Sequence, residues 1–196
     1  MGEGKFVDTP IWDTLVASMK NAYSTGLSEG SVPRPVIMPL VRGELVGLIW
    51  VRPLEVGEDA MTGIAQLSNI AAAAGADEVV LAWETGDVAT ACGVPAVGPA
   101  PCLNMVHATE DGHVLHQFPY AEEALADAPG GKDAREPRWL PAPEPRQDAE
   151  LIPPVRAAVS FSFTPLDLDH PSPFGVTVVL MEEDGFTVRL TEAFAR

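Results

Sequence analysis

Three short turns, Arg42-Gly43, Asp111-Gly112 and Asp184-Gly185, each separate two apolar, largely β-branched runs, and nothing else constrains this chain as much. A Gly in a two-residue turn supplies the positive φ that lets a strand double back with the right twist, so each turn predicts an antiparallel hairpin. The paired runs are residues 36–41 with 44–51, 103–108 with 113–118, and 176–181 with 186–191. Two further strands are read at 77–83, where Val79, Val80 and Leu81 are continuous apolar residues, and at 157–164, where Val159, Phe161 and Phe163 alternate with small residues. Pro39 lacks a ladder donor, so the first strand should be an edge or carry a bulge.

Two helices complete the pattern. Asp8-Thr9-Pro10 reads as a capped start, and Ile11, Leu15, Met19 and Tyr23 follow at four-residue spacing, with Gly26 as the expected stop. Glu58-Asp59 opens a second helix with acids where the helix dipole favours them. Met61, Ile64, Leu67, Ala71 and Ala74 share its apolar face, and Gly75 ends it. The fold class is therefore α+β: a mostly antiparallel sheet built from three hairpins and two further strands, with two main helices packed on it. The expected organisation is an αββαβββ core over 1–125, a Pro-rich excursion over 126–154, and C-terminal strands over 155–196 that complete the same domain. The excursion is expected to be mobile, so that removing residues 129–145 leaves the fold intact.

The formal charge of the 196 residues is -16, and it is unevenly spread. Residues 53–131 hold twelve carboxylates and no Lys or Arg. A field of that sign repels phosphate backbones and anionic lipid and favours cationic partners, so neither direct nucleic-acid binding nor membrane association is expected. No apolar run approaches the roughly 20 residues that a membrane span needs. The first six residues have no apolar run, so no secretory signal is expected and the chain reads as cytoplasmic, with Cys92 and Cys102 as reduced thiols.

No catalytic motif stands out. There is no Gly-x-Ser-x-Gly, no Walker loop and no Gly-x-Gly-x-x-Gly, and Ser160, Ser162, Cys92 and Cys102 are nucleophile candidates by residue type alone. The histidines carry the sharpest alternative. With Asp111-Gly112 as a two-residue turn, paired positions sum to 223 and His107 faces His116 directly, two imidazoles that could ligate a metal. A three-residue turn would set His107 against Leu115 instead. Trp139 and Leu140 stand as apolar anchors inside the Pro-rich segment; they are expected either to dock on the parent domain, the favoured reading, or to bind a partner together with Glu122 and Glu123.

The hairpin containing Leu45-Val46-Gly47-Leu48, the acid-started helix, Gly75-Ala76-Asp77-Glu78-Val79-Val80-Leu81 and the hairpin ending Pro119-Tyr120 resemble a set of uncharacterised α/β proteins of actinobacteria and their phages, over residues 35–120. That resemblance implies no activity. The order helix, hairpin, helix, strand is also similar to zinc nucleoside deaminases, but the His-x-Glu and Pro-Cys-x-x-Cys are missing, since Pro101-Cys102 has no second Cys. It is similar too to roadblock-type dimerisation domains, which implies a binding role. The expectation is an acidic interaction or accessory protein that needs no cofactor and binds a basic protein partner or a second copy of itself. The alternatives are a metal-dependent hydrolase using His107 and His116, and an acidic mimic of DNA.

Overall fold

The apolar stripe of the first helix runs further than its Gly predicts. In the computed structural model, which describes residues 9–195, α1 spans Thr9–Ser28 and buries Leu15, Met19, Tyr23 and Leu27. Gly26 lies inside α1, because a Cβ there would meet Pro33 and the Ser31 carbonyl at 3.0 Å as the chain doubles back. The expected Asp8 cap and the first six residues lie outside the described residues.

The first hairpin forms as predicted. Strand β1 (Val36–Val41) turns through Arg42 and Gly43, both at positive φ, into β2 (Glu44–Leu45) and β3 (Gly47–Trp50). Pairing slips by one residue between Leu40↔Leu45 and Ile37↔Ile49. Pro39 sits at that bulge: its carbonyl accepts from Val46, so its missing N–H faces the bulged strand, where no ladder bond is lost. Thus β1 tolerates a proline while lying inside the sheet, between β3 and β4 (Glu78–Glu84).

The second hairpin pairs β5 (Cys102–Thr109) with β6 (Gly112–Ala124), but the turn is Glu110-Asp111 and paired positions sum to 221. Gly112 is the first residue of β6, where the Asp148 carboxylate packs 2.9 Å from the place a Cβ would occupy. The sheet continues through β7 (Arg135–Trp139), β8 (Arg146–Gln147) and β9 (Thr187–Leu190). Its order is β7-β6-β5-β4-β1-β3-β9, with β2 beside β1 and β8 beside β6, and every pairing is antiparallel.

Helices cover both faces. α1 packs on one face over Met38, Leu40, Val80 and Met105. The other face is covered by α2 (Glu58–Ala65), α3 (Ser68–Ala74), α4 (Thr85–Cys92), α5 (Pro153–Ser162) and α6 (Pro173–Glu183). The α+β class with a mostly antiparallel sheet stands, while several sequence expectations are corrected. The single second helix is two helices broken at Gln66-Leu67. The strand read at 157–164 is the C-terminal part of α5 and its exit, and the third hairpin is α6 followed by β9. Pro153-Pro154 and Pro173 start those helices at positions where a missing N–H costs nothing. Tertiary contacts then override the β-branched run of α6, because Thr177 and Met181, one turn apart, are buried and the Thr177 hydroxyl donates to the Pro173 carbonyl at 2.9 Å.

The Pro-rich excursion is also corrected. Residues 135–139 and 146–147 are strands along the outer edge of β6. Leu140 donates to the Pro119 carbonyl, which sets the alternation so that Pro137 turns its donorless nitrogen away from β6. Deleting residues 129–145 would therefore remove an edge strand of the sheet rather than a free loop.

Candidate functional site

The break between α2 and α3 shapes the surface. Leu67 donates to Ile64 three residues back, Asn69 to Gln66, and the Ser68 hydroxyl to the Ala65 carbonyl at 2.8 Å. This tight turn angles the outer faces of the two helices apart and leaves an apolar hollow of about 470 Å³ above Met61, Ala65 and Ala72. Its far wall is Phe161 and Leu166, from the end of α5 and the chain leaving it. A second hollow of about 300 Å³, walled by Leu168, Leu180 and Phe186, adjoins it and shares Gln66, Asn69 and Leu166. Together they make a groove across α2, α3 and α6. Gln66 borders both hollows, and its Oε1 is shielded from solvent with no donor among the described residues.

The charge around the groove is of one sign. Among the described residues no Lys, Arg or His lines either hollow, and Asp184 lines the second. Arg52 lies 3.5 Å from Asp184 and donates to both oxygens of Asp59 at 2.6 and 3.0 Å. Asp59 is held down to about 2, by the Arg52 hydrogen bonds first and the Glu55 N–H second. Two carboxylates thus neutralise that guanidinium.

The predicted site residues lie elsewhere. Trp139 docks on the parent sheet, edge-on to Tyr120 with centroids 5.3 Å apart, and Lys20 Nζ sits 5.1 Å above its ring. Leu140, Glu122 and Glu123 are exposed beside it, with Glu123 paired to Arg138 at 2.6 Å. His107 and His116 do share one face of the sheet, as predicted, but as diagonal neighbours, because His107 pairs with Val114 and His116 with Met105. His107 Nε2 lies 2.8 Å from Glu78 Oε2, and His116 stacks on Trp12 of α1 at 4.3 Å. Among the described residues no three His, Cys, Asp or Glu side chains converge in a way that could hold a metal ion.

The contact of His116 with Trp12 of α1 is expected to respond to pH. Burial first, and the neighbouring His107 second, push the His116 pKa below its usual value. The folded chain therefore favours neutral His116 more than the unfolded chain does. The stability it contributes is complete above the unfolded pKa of about 6.5 and declines as pH falls toward the folded value. The expected result is a melting temperature that drops by about 3 °C between roughly pH 7.5 and pH 5, with a smaller drop for His116→Gln. Equal drops in the two proteins would refute the assignment to His116.

Of the nucleophile candidates, Cys92, Cys102 and Ser162 are buried and Ser160 is exposed. Cys92 and Cys102 are free and buried, and burial drives the Cys102 thiol up to about 12. The Ser162 hydroxyl donates to the Ala158 carbonyl at 2.7 Å. Ser160 shares a polar hollow with His113, whose Nε2–H donates to the Ala149 carbonyl at 2.8 Å, so that Nδ1 is the ring's acceptor, and no hydrogen bond joins it to Ser160 among the described residues.

Sequence reading missed the groove because its walls come from α5 and α6, both read as strands. The available signal was proline at the first turn of each. No family model, curated protein or solved structure matches the chain. No helix among the described residues is long and apolar enough to cross a membrane.

Proposed function

We propose that this chain is a cytoplasmic acidic interaction domain that binds a basic protein partner. The observation that carries the reading is a solvent-open apolar groove with Asp184 in its lining and, among the described residues, no Lys, Arg or His there, in a chain whose residues 53–131 contain no Lys or Arg. Long-range attraction would bring a cationic partner to this surface, and apolar contact would hold it.

Affinity capture from the native host lysate, washed at two salt concentrations, tests the charge part. The expected partner is rich in Lys and Arg and is released as salt rises, because exposed ion pairs are screened beyond a Debye length of about 8 Å at physiological ionic strength. Capture of acidic proteins only, or retention indifferent to salt, would count against the reading.

A second reading, self-association, is favoured by the β9 edge. The Thr191 N–H donates to Val46, so Val188 and Leu190 turn their backbone groups outward, and this edge carries no proline. Val179 and Leu180 are exposed on the neighbouring α6. Light scattering separates the readings: a dimer of twice 20.8 kDa without partner supports the second.

A further inference from the structure

We infer that the groove over α2, α3 and α6 receives an amphipathic helix from the partner, with its apolar face inward and Lys or Arg along its flanks. This rests on the basic-partner reading and names the place and form of the contact.

Shape selects a helix. The two hollows adjoin at Gln66 and Leu166 and are open along their length, so they can seat successive apolar side chains of a single element. On a helix, side chains three, four and seven positions apart line one face, spaced by roughly one and two turns of about 5.4 Å. The lips of the groove are apolar where a helix would touch them. Phe161 and Leu180 are each 55% exposed and Leu168 39%, and these three flank the hollows rather than being scattered over the surface.

Charge complementarity selects the flanks of that helix. Glu58 is exposed one turn before Met61 and Thr62, at one end of the groove. Asp167 and Asp169 are exposed on either side of Leu168 along one wall. Asp184 lines the second hollow, and Arg52, 3.5 Å from it, is already paired with Asp59. An acidic helix or an anionic lipid surface would meet four carboxylates there.

The test uses two synthetic 14-residue helical peptides with identical Leu faces at i, i+3, i+4 and i+7. One carries Lys on its flanks and the other Glu. Fluorescence anisotropy reads binding to the full chain, to Ala72→Trp, which fills the first hollow, and to Phe161→Ser, which trims an exposed lip and leaves the core untouched. Thermal melting confirms that each variant is folded. The Lys peptide should bind at least about tenfold more tightly than the Glu peptide, and either variant should weaken it by about tenfold. Charge-dependent binding that survives both variants overturns the groove as the site while leaving the basic-partner reading intact. Equal binding of the two peptides overturns the charge selection, and absence of binding by either overturns the inference.

Discussion

Asn104→Leu is expected to lower the free energy of unfolding by about 4 kcal/mol, because it leaves several buried groups without partners at once. Asn104 is fully buried in β5. Its Nδ2 donates to the Thr85 hydroxyl at 2.7 Å and lies within bonding distance of the Trp83 and Cys102 carbonyls. Its Oδ1 accepts from Gln117 Nε2 at 3.0 Å, and Gln117 Oε1 accepts in turn from Arg146 at 3.2 Å. One side chain thus links the end of β4, the start of β5, β6 and, through Arg146, the short β8. Beside it the buried Glu84 carboxylate accepts from the backbone of Asp87 at 2.6 Å and of Cys102 at 3.0 Å, capping α4 and tying it to β5. Equilibrium urea unfolding measures the effect. The double variant Asn104→Leu/Gln117→Leu should cost clearly less than the sum of the two singles, since it removes donor and acceptor together. A single-variant loss under about 1 kcal/mol, or strict additivity, would show that these contacts do not act as a unit.

That lattice marks the limit of what the sequence reveals. Arg42-Gly43 was legible because a positive-φ turn has few residue solutions, and Pro39 because a missing donor has few places to go. The hairpin of β5 and β6 was legible as a pairing. Its register was not, because Gly112 serves a contact with Asp148, 36 residues further on, that turn chemistry cannot reveal. The same-face relation of His107 and His116 survived, since a shift of two residues preserves the side on which each side chain lies. In α5, alternation over five residues fits a strand as well as a helix. The buried positions Val155, Ala158, Val159 and Ser162 resolve it only once the helices beneath are known. The groove combines residues near 65, 165 and 180, so no local window contains it.

Gly47→Val should be about as damaging as the loss of Asn104, for a steric reason. Gly47 pairs with Leu190, and a Cβ on it would lie well inside van der Waals contact with the Arg189 carbonyl oxygen and 3.0 Å from the Leu190 Cα. Those are backbone atoms of β9 and cannot swing aside as the end of a long side chain could. The strand must move away, at an expected cost of about 3 kcal/mol or more. The loss should be local before it is global. Amide hydrogen exchange should accelerate at Thr191, which bonds to Val46, while the amides of β4 and β5 in the sheet centre keep their protection. Because β9 anchors α6, and Leu180, Met181 and Phe186 wall the second hollow, the same substitution should weaken the Lys-flanked peptide even where the chain remains folded. Unchanged exchange at Thr191 would show that β3 and β9 can separate without strain. Faster exchange with undiminished peptide binding would confine recognition to the first hollow, between α2, α3 and the end of α5.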